Sequence, residues 1–175
     1  MEKSGKLIIV INGKAQAGKD TLCDIVIKNY KAKKISSIAP FAKIAKENGW
    51  DGVKDNKARK LLSDLKRAFA EFNDLPTTYL VQESEGFAAG DDDILFVHIR
   101  ESDQISAFLD RVKGLCAATT LLVTREGDTA LLGNVSDDNV RDYRYEFEYN
   151  NIQELENVES DFLHFFEEML KIARQ

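Results

Sequence analysis

Two stretches of the chain are apolar at almost every position, Leu7–Asn12 (LIIVIN) and Ile94–Ile99 (ILFVHI). Each is bounded by turn-forming residues and is about one strand long, which predicts strands buried on both faces. Elsewhere the spacing becomes helical. Lys19 to about Lys28 sets Leu22, Ile25 and Val26 inward, and Pro40, tolerated in a first helical turn, opens a helix that Gly49 stops. From Asn56 to Phe72, one stripe holds Ala58, Leu61, Leu62, Leu65, Ala68, Phe69 and Phe72 before Asn73, Asp74 and Pro76 break the pattern.

Shorter signals fill the gaps. Lys33–Ile38, Ala118–Val123 and the partly exposed Tyr145–Tyr149 read as strands, and Thr77–Glu85 and Gln104–Lys113 as helices. Leu155–Ile172 closes the chain as an amphipathic helix burying Leu155, Val158, Phe162, Phe165, Phe166 and Met169, with the lone His164 read as structural. Residues 125–142 are polar and irregular. Strands alternating with helices predict an α/β fold with a mostly parallel, doubly wound sheet. Ligands of such sheets sit at the carboxyl ends of the strands, where the loop at 13–20 and the segment after Ile99 both fall.

Composition narrows the function classes. A chain of 175 residues, 43% hydrophobic and 31% charged, fits a single globular domain. No apolar run approaches the roughly 20 residues of a membrane span, and the first apolar segment leads straight into a glycine loop, which predicts no signal peptide. Cys23 and Cys116 are isolated and suit buried thiols in a reducing, cytoplasmic setting. The net charge of −6 hides an asymmetry: residues 1–67 hold 16 Lys or Arg against 7 Asp or Glu, whereas residues 68–175 hold 8 against 23. That excludes a uniformly basic nucleic-acid face. It fits either a local positive field for a small phosphorylated ligand or solvated lysines on exposed helices.

The first strand-to-helix junction carries the chemistry. Gly13-x-x-x-x-Gly18-Lys19 matches the P-loop (Walker A) spacing at every position but the last. Gly13, Ala15, Ala17 and Gly18, with Lys14 and Gln16 between them, let backbone N–H groups turn inward around a phosphate, and the following helix adds its positive end. Lys19 places a point charge against the outer phosphates. Asp20 stands where a Ser or Thr hydroxyl for Mg²⁺ is usual. A carboxylate can hold that cation directly or through water, and Thr21 keeps a hydroxyl one position on. The expected ligands are ATP and Mg²⁺, with Asp20 the metal residue.

The stretch GKAQAGKDT resembles the Gly-Lys-Asp P-loop of animal-type phosphomevalonate kinases and of a phage-type deoxynucleoside monophosphate kinase, both in the nucleoside monophosphate kinase-like group. ILFVHIRESDQI is similar to their third-strand segment, which ends in an arginine-bearing turn, and DDNVRDYRYEFEYNN to their last strand, which closes on an Asn beside the nucleotide base. The resemblance implies a three-layer P-loop NTPase fold in one domain over residues 1–175, with a helical substrate-handling region about 40–90 and a short lid about 125–142. It implies that Arg100 contacts the acceptor's phosphate, that Asn151 lies beside the nucleotide, and that Arg125 closes over the transferring phosphoryl group as a catalytic residue with Lys19 and Arg100.

The residues themselves leave alternatives. Arg100 is a bidentate phosphate ligand or the ion-pair partner of Glu101 or Asp103. His98 stands near the place where those kinases carry an Asp, and is a neutral hydrogen-bonding group or a packed core histidine, while Glu101 could take over the acid's role. On the 56–72 helix, Arg59 and Lys66 flank the apolar stripe and Lys60 and Arg67 face solvent; Arg59 is the expected substrate-phosphate ligand. The expected activity is an ATP-dependent phosphotransferase acting on a small phosphorylated acceptor such as a nucleoside monophosphate. Its rival is a nucleotide-binding regulatory protein with little transferase activity. An NTP hydrolase would need a residue that positions water, and the sequence offers no clear one.

Overall fold

The computed structural model describes residues 5–125, 139–152, 154 and 156–175. In chain order its elements are β1 (Leu7–Asn12), α1 (Lys19–Asn29), β2 (Ala32–Ser36), α2 (Ala39–Glu47), α3 (Asn56–Asn73), α4 (Leu75–Ala89), β3 (Ile94–His98), α5 (Ser102–Val112), β4 (Ala117–Thr124), a 3-10 turn (Val140–Asp142), β5 (Phe147–Asn150) and α6 (Val158–Ala173). The five strands form one sheet in the order β2-β3-β1-β4-β5, and every pairing between them is parallel.

All six residues of β1 are buried because the sheet is covered on both faces. Side chains alternate across a strand. Leu7, Ile9 and Ile11 therefore enter one core with Leu22, Val26, Phe162 and Phe166 of α1 and α6. Ile8 and Val10 enter the other, with Leu80, Phe87, Ile105 and Phe108 of α4 and α5. The expected three-layer, doubly wound architecture is present, with an all-parallel sheet.

The long helix differs from its expected stripe. α3 buries Ala58, Leu62 and Lys66, while Leu61 and Phe72 are exposed. It packs through Leu62, Leu65 and Phe69 on a small cluster with Phe41 and Ala45 of α2. Asp74, in the left-handed region at φ 52°, ends α3 and begins α4, and Pro76 falls in the first turn of α4 rather than beyond a loop. α6 begins at Val158; Leu155 lies outside the described residues, and His164 is exposed rather than packed among its phenylalanines.

Strand register sets the working edge. Ile11 pairs with His98, His98 with Ser36, and Asn12 with Leu122, so the loop after β1 and the turn after β3 leave the sheet side by side.

Candidate functional site

The glycine loop runs from buried Asn12 into α1. Three of its residues take left-handed backbone angles: Gly13 at φ 151°, Gln16 at 66° and Gly18 at 97°. A methyl on Gly13 would lie 2.3 Å from the Val123 carbonyl oxygen of β4, so that glycine is required by a close backbone approach. Gly18 immediately precedes α1, whose first residue is Lys19. The Lys19 ammonium folds back over the loop, donating to the Gly13 carbonyl and, at 2.8 Å, to the Lys14 carbonyl. It thus braces the loop it belongs to. Ala17 N–H donates to the Lys14 carbonyl at 3.2 Å, closing the turn, while the Gln16 side chain and Thr21 face solvent and Ala15 is half-buried.

Two asparagines hold this loop from either side. Asn12 is 1% exposed. Its Oδ1 accepts from Gly13 N–H at 2.8 Å, and its Nδ2 donates to the Arg100 carbonyl at 3.0 Å and to the Tyr145 hydroxyl at 2.7 Å. Tyr145 in turn donates to the Val140 carbonyl at 2.8 Å, and burial, the largest influence on it, pushes that phenol up to about 12. Asn151 follows β5 and is buried, its backbone N–H held by the Thr124 carbonyl at 2.7 Å and its Nδ2 donating to the Ala17 carbonyl at 2.9 Å. The expected nucleotide-side asparagine is therefore a partner of the loop itself.

Asp20 lies on the first turn of α1 with its side chain 79% exposed, and Lys34 of β2 reaches it at 3.3 Å and Asp24 at 2.9 Å. Partial burial pushes the Asp20 carboxyl up, but the His98 ring, Lys34 and Lys54 outweigh it and hold the group below the usual carboxylate range. It is a carboxylate at neutral pH, the donor type that Mg²⁺ takes. Among the described residues, no cluster of three or more His, Cys, Asp or Glu could hold a metal by itself. His98 packs its Nε2 3.7 Å from the Cys23 thiol. Burial, joined by Lys19, Lys34 and Arg100 and opposed by Asp20, lowers its pKa from 6.5 to about 4, so the ring is neutral at pH 7. Burial also pushes the Cys23 thiol far up, and it stays protonated.

The arginines are spread around the edge. Arg100 follows β3 directly and is exposed, with its backbone carbonyl tied to Asn12. Glu101, the candidate replacement acid, is paired with Lys66 of α3 at 2.6 Å. Arg59 is exposed, and its Nε donates to the Lys54 carbonyl at 3.1 Å; Lys60 and Arg67 both pair with Asp64, as expected for a solvated face. Arg125 is exposed just past β4, and residues 126–138, the greater part of the expected lid, lie outside the described residues. The geometry thus gathers Gly13–Lys19, Asn12, Asn151, Asp20, His98 and Arg100 at one edge. Arg59 bonds its own helix's approach instead.

Sequence reasoning missed Asn12, Tyr145 and Lys34, and placed Lys66 at the edge of the α3 stripe without its partner Glu101. For Asn12, a polar residue closing an otherwise apolar strand immediately before the loop was the available signal. The pairings of Lys34 with Asp20 and of Lys66 with Glu101 carry no local signal, since they meet only through the fold.

No protein-family model matches this sequence, and no curated protein matches it. Solved structures do. A crystal structure from Chloroflexus aurantiacus J-10-fl, named provisionally as a kinase, superposes with a TM-score of 0.56 at 12% identity, over 99% of this chain and 100% of that one. Shikimate kinase from Aquifex aeolicus VF5 gives a TM-score of 0.49 at 12% identity, over 93% and 97% of the two chains. At such identity the first likeness shows a shared fold, which in this chain is an α/β arrangement with helices on both faces of a parallel five-stranded sheet.

Proposed function

We propose that this protein is an ATP-dependent phosphotransferase that passes a phosphoryl group to a small phosphorylated acceptor, such as a nucleoside monophosphate. The observation that carries the reading is the loop between β1 and α1. Its left-handed glycines and the Lys19 ammonium bridging the Gly13 and Lys14 carbonyls make a preformed cradle at a helix N-terminus, the arrangement that phosphate oxygens fit.

In this reading the loop amides from Gly13 to Thr21, with Lys19, bind the outer phosphates of ATP, and Asn151 supports the loop from the nucleotide side. Asp20 supplies a carboxylate for Mg²⁺, which would neutralise charge on the phosphates. Arg100, whose backbone is tied to Asn12 at the strand end, takes the acceptor's phosphate in its planar fork, and Arg125 screens the transfer. Residues about 40–90 form the acceptor side and about 125–142 the lid. Phosphoryl transfer is mostly positioning and charge stabilisation, and a phosphate acceptor is already ionised at pH 7, so a nucleophilic side chain or strong base is not needed. The nucleoside monophosphate kinase-like resemblance of GKAQAGKDT supports the same acceptor class. A cytoplasmic setting follows from the cysteine usage.

A second reading, a nucleotide-binding regulatory protein, is favoured by one observation. His98 is neutral and packed on Cys23 where the resembled kinases carry an acid. Titrating ATP and then adding a panel of monophosphates separates the two: a kinase releases ADP only with an acceptor, and a regulator binds ATP without doing so.

A further inference from the structure

Of the cations on α3, Lys66 is set apart. Lys57, Arg59, Lys60 and Arg67 are exposed, whereas Lys66 is 8% exposed and its ammonium lies 2.6 Å from Glu101 Oε2. Glu101 directly follows Arg100 and stands at the N-cap of the 11-residue α5, whose positive end also favours its charge. On the other side, the Arg100 carbonyl accepts from Asn12 at 3.0 Å. The Arg100 turn is thus held between the glycine loop and α3.

An ion pair in this setting is a poor source of stability. Burying the Lys66 charge costs much of what its contact with the half-buried Glu101 returns, and an apolar residue at that position would avoid the cost. The neighbours of Lys66 on α3 are Leu62, Leu65 and Phe69, so an apolar residue there would extend an existing cluster. What the pair uniquely supplies is a directional link between α3 and the turn that carries Arg100. A charge-assisted bond is short and geometrically demanding, which suits a fixed orientation.

We infer that Lys66 and Glu101 are the positioning pair of the acceptor side, locking the Arg100 turn to α3 so that its guanidinium meets a phosphate monoester dianion. The substrate class rests on the phosphotransferase reading; the link between α3 and Arg100 does not. The pair gives α3 a buried anchoring residue in Lys66, whereas Arg59 is exposed and donates its Nε to the Lys54 carbonyl.

The test compares the wild-type protein with Lys66→Met, Lys66→Arg and Glu101→Gln. Each is titrated calorimetrically with a panel of nucleoside 5′-monophosphates without ATP, and separately with ATP and Mg²⁺. Trp50, which packs on the α2–α3 cluster, certifies the fold through an unchanged emission maximum. Monophosphate affinity is expected to fall at least tenfold in Lys66→Met and about threefold in Glu101→Gln, and to stay within twofold in Lys66→Arg, with ATP affinity unmoved in all three. Should Lys66→Met fail to fold, Glu101→Gln carries the comparison alone. The inference is overturned if the wild type binds no monophosphate, if the neutral variants bind as well as wild type, or if ATP affinity falls equally. The phosphotransferase reading fails independently, when a monophosphate binds but no acceptor-dependent ADP appears.

Discussion

Asn151 Nδ2 donates to the Ala17 carbonyl at 2.9 Å, joining the end of β5 to the glycine loop across 134 residues of sequence. The loop's shape is therefore a property of the sheet edge as well as of its own glycines. Removing that bond strands a buried carbonyl, so Asn151→Ala should cost about 1–3 kcal/mol in urea unfolding and weaken ATP binding more than it shifts the fold. Calorimetric titration of the variant with MgATP checks this, and unchanged affinity would contradict it.

The two glycines of the loop should fail in a definite order. An added methyl at Gly13 meets the Val123 backbone oxygen at 2.3 Å, whereas at Gly18 it meets Asn151 Nδ2, a side-chain atom, at 2.4 Å. Backbone of a central strand cannot yield, and a side-chain amide can. Gly13→Ala should therefore lower the midpoint of urea unfolding more than Gly18→Ala. The latter carries the left-handed backbone strain of about 1–2 kcal/mol, the displacement of the Asn151 amide from the Ala17 carbonyl and a loss of nucleotide affinity.

His98 gives the stability a pH signature. Unfolded, it takes up a proton near 6.5, and folded near 4, so the folded state binds fewer protons between those values. Its contribution is complete above about pH 6.5 and is lost as pH falls toward 4, reaching about 3 kcal/mol at about 1.4 kcal/mol per pH unit. Asp20 contributes with the same sign, but only below its ordinary value of 3.8, so the window belongs to His98. Urea unfolding between pH 7 and 4 should show the decline in wild type and a flatter line in His98→Gln; parallel lines would refute it.

The two ends of the hydrophobic inventory should part sharply. Phe166 is fully buried and within ring-contact distance of Tyr30, Phe96 and Phe162, so Phe166→Ala should cost about 3–5 kcal/mol. Phe72 is 81% exposed in the last turn of α3, and Phe72→Ala should stay within about 0.5 kcal/mol of wild type. Thermal unfolding of both variants decides it.

That contrast marks what the sequence could and could not convey. β1 and β3 were legible because a strand covered on both faces must be apolar at nearly every position. The glycine loop was legible because its spacing falls at a strand-to-helix junction. Phe72 and Leu61 read as core because periodicity records which side of a helix is apolar, not how much of that side its neighbours cover. Lys66 read as an edge residue because its buried stem and its partner Glu101, 35 residues on, exist only in the fold. Asn12 gave no more than the sign of a polar strand end. Its partners Arg100 and Tyr145 lie 88 and 133 residues away.

The central claim is transfer from a nucleotide held at Lys19. The measurement is ADP released by the protein with ATP, Mg²⁺ and each monophosphate of a panel, run beside Lys19→Ala. ADP should appear only with a particular acceptor and be lost in the variant, which forfeits both the charge on the outer phosphates and the brace across the Gly13 and Lys14 carbonyls. ATP bound tightly with no acceptor-dependent ADP, or a Lys19→Ala variant that matches wild type, would contradict it.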